Sequence, residues 1–337
     1  MVSALNLCGT VARSLYEGFC LSFLTQLDRS SHPLVENLVV KHIIGKRNTG
    51  SVLRQALPQP RPFWAGQSAF IQVEGYWVPQ GDLEPSEPAS YIVTDSVKRN
   101  LKDLVRVVAL GRLPVLLQGE TSVGKTSLIG YLAQLTGNKC VRVNNHEHTD
   151  LQEYVGSYTA DESGKLVFRE GVLVDAMRRG YWLILDELNL APSEVLEALN
   201  RLLDDNRELF IAETQETVRA HPRFLLFATQ NPPGGQYGGR KLLSRAFRNR
   251  FVELHFDEIP ADELETILHR RCAMPPSYCK RLVAVLKVSV HNWDDMASFF
   301  SYCLLQLHEV ALAVRCIRCV RCVAVDVLEG YFKRFKL

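Results

Sequence analysis

The residues best suited to chemistry are Gly119-Glu120-Thr121-Ser122-Val123-Gly124-Lys125-Thr126, followed by Ser127. They fit the phosphate-loop spelling G-x-x-x-x-G-K-[ST] without a mismatch. Glycines let successive backbone N–H groups turn inward and cradle phosphate oxygens. Lys125 puts a point charge on the β- and γ-phosphates, and the Thr126 hydroxyl is a ligand for Mg²⁺. ATP and Mg²⁺ are therefore the expected ligands. Further along, the apolar run Tyr181-Trp182-Leu183-Ile184-Leu185 ends in Asp186-Glu187. An aspartate there can hold Mg²⁺ through water, and a glutamate can orient and deprotonate an attacking water. Asn231, after the run Phe224–Thr229, can hydrogen-bond the γ-phosphate or that water. Arg250, in Asn249-Arg250-Phe251, is a cation for the same reaction, and Arg245 and Arg248 compete with it.

These residues need elements to hold them. Leu113-Pro114-Val115-Leu116-Leu117 reads as the strand that enters the loop, and Thr126–Leu135 as a helix with its positive end on the phosphates. Cys140–Val143 is a short alternating strand. Thr149–Glu153 spells a capping box from Asp150 to Glu153. Lys165–Phe168, between Gly156 and Gly171, reads as an inserted hairpin. Val172–Arg179 and Glu194–Leu203 are helices, Ser244–Asn249 a short one, and Phe251–Leu254 a last strand. Gly234–Gly239 is a loop. Helices alternating with unbroken apolar strands imply an α/β fold, a parallel sheet wound on both faces. Ligands of such sheets sit at the strands' C-terminal ends, where all four candidate sites fall.

Upstream, Leu15, Phe19, Phe23 and Leu27 recur at helical spacing, and Ser31-His32-Pro33 breaks that helix before a second through Leu38–Ile44. Proline and glycine then crowd a linker containing the strand-like Phe70–Val73. Thr94-Asp95-Ser96-Val97 opens a helix to Val108.

Composition sets bounds. The chain has 337 residues, 47% apolar and 23% charged, enough for a sizeable core. Its net charge of +2 gives no polyelectrolyte drive toward nucleic acid. Nine cysteines without a framework spacing favour free thiols in a reducing compartment. No secretory signal is expected, and Arg315, Arg318, Arg321 and Asp326 make Val310–Leu328 a poor membrane span. His146-x-His148 with Asp150 reads as a loop that caps the next helix rather than a metal cluster. Cys316-x-x-Cys319-x-x-Cys322 lacks the fourth cysteine of an iron–sulfur run.

Taken together, these motifs resemble the AAA+ ATPases: Walker A at Gly119–Thr126, Walker B at Leu183–Glu187, sensor 1 at Asn231 and an arginine finger at Arg250. The inserted hairpin and Leu185-Asp186-Glu187-Leu188-Asn189-Leu190-Ala191 are similar to the MoxR- and dynein-related branch. Asn144–Asp150, Leu203–Glu208 and Leu243–Phe251 are similar, more narrowly, to the midasin family of nuclear ATPases with six AAA modules in one polypeptide. The likeness implies a helical lid end of a preceding module over residues 1–57, a linker over 58–90, an AAA+ core over 91–257 and a divergent or missing lid over 258–337. It stops at about Lys287, and Arg270 and Arg271 are the nearest candidates for a second sensor arginine. It also implies neighbouring AAA modules in a ring as partners. The implied task is nuclear: removal of assembly factors from precursors of the large (60S) ribosomal subunit. The alternative is a nucleotide-binding interaction module that holds a shape without turnover.

Overall fold

Apolar residues at helical spacing build α1 (Val11–Phe23) and α2 (His32–Val39), the latter starting with Pro33 in its first turn, where a missing N–H costs nothing. The computed structural model describes residues 11–27, 29–45, 52–53, 56–60, 69–232 and 241–291. A π-helical turn, Val40–Ile44, continues α2. Tyr16, Cys20, Leu24, Val39 and Ile44 close a small core between them. β1 (Phe70–Val73) and β2 (Tyr76–Pro79) form a hairpin inside the stretch read as a linker. Its two turn residues, Glu74 and Gly75, both have positive φ, the mark of a turn whose twist matches the strands.

A buried ion cluster fastens this region. Glu17, 3% exposed, receives Arg13 and Arg106 at 2.8 Å each, and the Tyr76 hydroxyl at 3.0 Å. A buried carboxylate needs such partners to offset its lost hydration. Burial pushes the Tyr76 hydroxyl up to about 12, so it stays a donor.

The helix α3 (Asp95–Val108) leads to β3 (Val115–Gly119), the phosphate-loop residues and α4 (Lys125–Leu135). β4 (Cys140–Asn144), the single-turn α5 (Leu151–Val155), the hairpin β5 (Gly156–Ala160)–β6 (Leu166–Glu170) and α6 (Val172–Arg179) follow. Then come β7 (Trp182–Asp186), α7 (Ser193–Leu203), a second hairpin β8 (Glu208–Ile211)–β9 (Glu216–Arg219), β10 (Leu225–Gln230), α8 (Arg245–Arg248) and β11 (Val252–Phe256). One sheet has the order β11-β3-β10-β7-β4, with every pair parallel. Every residue of β7 and of β10 is buried, which requires cover on both faces and explains why these strands read as unbroken apolar runs. The edge strands β4 and β11 carry the exposed residues. Trp182 and Phe227 meet between β7 and β10 with ring centroids 5.2 Å apart.

The inserted hairpin depends on its two bounding glycines. Gly156 has φ +119, and a side chain there would lie 2.3 Å from the Arg169 carbonyl oxygen; one on Gly171 would lie 2.4 Å from the Tyr154 backbone. Asp150 does cap α5, its carboxylate accepting from the Gln152 N–H at 3.0 Å. The sequence reading did not anticipate β2, β8 or β9. They are four residues each and leave too little periodicity to register.

Chain contacts separate two compact units. One comprises Met1–Pro88, Asn100–Gly119 and Lys125–Phe256; the other, Ala89–Arg99, Glu120–Gly124 and Asp257–Leu337. The second contains α9 (Ala261–Cys272) and α10 (Pro276–His291), joined through buried Leu268, Cys279 and Val283. Within it Glu263 accepts from the Thr94 and Ser96 hydroxyls and, at 3.1 Å, from the Ser96 N–H, so it caps the start of α3. Of the nine cysteines, the described Cys20, Cys140, Cys272 and Cys279 are free thiols. Burial pushes Cys20 up to about 11 and Cys140 up to about 12, leaving both protonated and inert. No helix among the described residues is long and apolar enough to cross a membrane. The Gly234–Gly239 loop and the Cys316–Cys322 run lie outside the described residues.

Candidate functional site

Parallel strands put all their C-terminal ends on one side of a sheet, so residues far apart in sequence converge there. The register shows it: Gln230 lies opposite Gln118 in β3, and Asn144 opposite Asp186. Lys125, at the first residue of α4, is 7% exposed and donates at 2.8 Å to the Gly119 carbonyl and at 2.8 Å to Asn231 Oδ1. Asn231 Nδ2 in turn donates to Glu187 Oε1 at 3.1 Å. An ammonium only donates and a carboxylate only accepts, so the orientation of the Asn231 amide is fixed by its two neighbours. One amide thus joins the phosphate-loop lysine to the strand-end glutamate.

Asp186 is the second junction. Its Oδ1 accepts from Thr126 Oγ1 at 3.0 Å and from the Thr229 hydroxyl, while its Oδ2 accepts from Arg142 Nε at 2.8 Å and from a terminal nitrogen of the same guanidinium. Asp186 is 6% exposed, and four donors offset the loss of its hydration. Glu187 next to it adopts a left-handed conformation, φ 51° and ψ 45°. That costs a non-glycine residue about 1 kcal/mol or more and turns the side chain out of the strand's alternation. The Glu187 N–H bonded to Thr229 Oγ1 at 3.0 Å, and Asn189 Nδ2 on the Asn231 carbonyl at 3.0 Å, hold the bend. Beneath it, Asn145 donates to the Asp186 carbonyl at 2.8 Å and accepts from the buried Tyr154 hydroxyl.

Within the loop itself, Ser122 has φ 68° and Gly124 φ 86°. Alternation of right- and left-handed residues is how a backbone forms an anion-holding nest of N–H groups. The Ser122 hydroxyl oxygen is buried with no hydrogen-bond partner among the described residues. An orphaned donor in a curled, glycine-flanked loop fits a phosphate ligand. Val123 is buried, Thr121 half-buried, and Glu120 and Ser127 exposed.

The arginines are elsewhere. Arg250 is half-buried and pairs with Asp204 at 2.9 Å. Arg248 is held on Glu253 by two bonds, 2.8 and 2.9 Å. Arg245 is exposed on α8. Neither the Arg248–Glu253 nor the Arg250–Asp204 ion pair involves Lys125, Asp186, Glu187 or Asn231. Arg270 and Arg271 are exposed in the last turn of α9. His146 forms a turn, its Nδ1 accepting from the His148 N–H at 3.2 Å and its own N–H donating to Thr149 Oγ1 at 2.8 Å.

Sequence reasoning missed Arg142 and Thr229. The signal for Arg142 was a charged residue in an otherwise apolar short strand; for Thr229, the hydroxyl closing an all-apolar one.

A family model for the AAA domain of the dynein-related subfamily matches residues 114–251, and one for the midasin AAA lid domain matches residues 1–46. The chain is also 32% identical over 190 residues to the denitrification regulatory protein NirQ of Pseudomonas aeruginosa, covering 55% of this chain and 72% of that protein. The chain belongs to the dynein-related subfamily of AAA ATPases. Within this subfamily it is 58% identical over 282 residues to midasin of Dictyostelium discoideum, and 45% identical over 294 residues to midasin of Giardia intestinalis. Each alignment covers 82% of this chain, which spans only 5% and 6% of those relatives' lengths. The nucleotide-binding character of AAA domains fits the geometry at Lys125 and Asp186, and the five-stranded parallel sheet is the core of the AAA fold.

Proposed function

We propose that this chain is a motor module that binds Mg·ATP and hydrolyses it by in-line attack of water on the γ-phosphorus. Gly119–Ser127 would hold the phosphates, with Lys125 opposing their charge. Thr126 and Asp186 would hold Mg²⁺, which when bound neutralises charge on the bridging oxygens. Glu187 takes a proton from the attacking water as its oxygen bonds to phosphorus and the β–γ bridging bond breaks, leaving ADP and phosphate. Asn231 orients that water and keeps Glu187 aimed. The observation carrying this reading is the pair of links Lys125–Asn231–Glu187 and Thr126–Asp186, which tie together the ends of three strands, β3, β7 and β10.

The role of Arg250 is different. We assign it as the finger that serves the nucleotide of a neighbouring module in a ring, and this chain's own site takes an arginine from another module. The lid-model match over residues 1–46 supports residues 1–57 as the lid end of a preceding module, and the AAA-domain match over 114–251 supports a core within 91–257; we take 58–90 as the linker and 258–337 as a partial, divergent lid. The likeness to midasins supports a nuclear task, remodelling precursors of the large ribosomal subunit and releasing their assembly factors.

The test is equilibrium binding of a fluorescent ATP analogue with Mg²⁺, the unaltered chain beside Lys125→Ala. Removing the ammonium should weaken binding on the order of a hundredfold, the value of a charge-assisted bond, with the far-ultraviolet spectrum unchanged. Equal binding by both proteins would overturn the reading. Binding without turnover, even beside a neighbouring module with its arginine, would favour the non-hydrolysing interaction module.

A further inference from the structure

Asp186 is the residue read as the metal holder, yet its Oδ2 is already taken by a cation of the chain itself. Arg142 meets it through Nε at 2.8 Å and through a terminal nitrogen. The two partners are unequally placed. The Asp186 side chain is 9% exposed, whereas that of Arg142 is 42% exposed, on the edge strand β4. Asp186 is further held by Thr126 and Thr229 on its other oxygen and cannot follow a departing partner. Arg142 can move toward solvent at small cost, because its side chain is already partly exposed. A guanidinium remains charged at any accessible pH and offers no lone pair to a metal. It can therefore compete with a divalent cation for this carboxylate but cannot share in its coordination.

We propose that Arg142 is the built-in counter-ion of Asp186, which it occupies until Mg²⁺ and nucleotide arrive, and that it thereby sets how tightly the metal is held. This rests on the reading of Asp186 as a metal holder. Arg142 is a positioning residue: it acts through the carboxylate and not on the phosphates. Its presence trades metal affinity for a carboxylate whose charge is already paired before the metal arrives.

The experiment measures Mn²⁺ binding by the free-ion electron paramagnetic resonance signal, in the presence of ADP, on the full chain. Arg142→Met and Arg142→Gln should each bind Mn²⁺ about tenfold more tightly, the low end of what an adjacent cation does to a carboxylate's affinity for another. Arg142→Lys should stay near the unaltered chain, because it keeps the charge. ADP binding in EDTA should be the same in all four proteins. Unchanged or weaker Mn²⁺ binding in both neutral variants would overturn the proposal. Loss of the far-ultraviolet spectrum in both would do so too, since Arg142 would then be a strut of the fold. Lys125→Ala separates the two levels: if it leaves ADP binding in EDTA intact, the nucleotide reading fails; if it abolishes that binding while Arg142→Met changes nothing, only the counter-ion proposal fails.

Discussion

Two polar regions of this chain are built on opposite plans. At the strand ends, Lys125, Asp186, Glu187 and Asn231 come from three separate segments, and each hydrogen-bonds another residue of that site. At the end of α8, Arg250 pairs with Asp204 on the surface, at 33% and 51% side-chain exposure. The first arrangement is complete within one chain. Lys125, Asp186 and Asn231 are buried and Glu187 is half-buried, so losing a partner would leave a charge or amide poorly satisfied. In the second, the cation is held by an exposed aspartate and the Ala246 carbonyl, so it can be lent to something else at little cost. On the proposed reading the difference is one of labour: nucleotide binding would be assembled in cis, and the charge that completes hydrolysis would be offered to a neighbour.

Glu187→Gln tests the cis half most severely. Beside a neighbouring module, it should lower turnover by at least about a hundredfold while nucleotide stays bound, because the amide cannot take a proton. Measured on the chain alone, turnover should be weak already; vigorous hydrolysis by the monomer, abolished by Glu187→Gln, would break the comparison by showing that no outside arginine is needed. Arg250→Ala sharpens the other half. Nucleotide affinity of this chain should not change and its stability should stay within about 1 kcal/mol, the worth of an exposed ion pair. In a linked pair of modules the same substitution should slow the partner's turnover about a thousandfold, the scale of an arginine finger. A loss of nucleotide binding by the isolated Arg250→Ala chain would show that this arginine belongs to its own site.

Asn231→Ala probes the joint between lysine and glutamate. Turnover should fall about a hundredfold, as when one aimed donor is removed, with a smaller loss of binding. An unchanged rate would reduce the amide to a spacer.

The smallest effect concerns α9. Burial alone would push Glu263 up, but the bonds from Ser96 and Thr94 outweigh it and hold its carboxyl below the ordinary 4.5. A depressed acid adds stability above its unfolded pKa, and that increment is lost as pH falls through the folded value. Glu263→Gln should therefore cost up to about 1 kcal/mol in denaturant unfolding at pH 7, and progressively less as pH falls below 4.5 and through the lower folded value. A cost that does not fall with pH would mean that the charge on Glu263 plays no part in capping α3.

Much of the site could be read before any coordinates. The loop spelling fixed Lys125 and Thr126, and the acidic pair closing an apolar run picked out Asp186 and Glu187. Asn231 was legible for the same reason, as a polar residue just past a buried strand. Arg142 and Thr229 were not, since a charge in a short strand or a hydroxyl near the end of a buried one is a weak local signal that does not say which distant carboxylate it reaches. The hairpin β5–β6 was visible in its bounding glycines; β8–β9 had no such punctuation, although Gln215 in its turn has φ 55°.

By itself, then, the sequence determined the long helices, the buried apolar strands and the motif residues, because period, turn residues and motif spelling are local properties of the chain. Only the tertiary structure decided the strand order β11-β3-β10-β7-β4. That order puts Asp186 between Thr126, Thr229 and Arg142, and places Asn231 between Lys125 and Glu187. Those meetings span more than 40 residues of chain in every case, and only the packing of parallel strands brings their ends to one place.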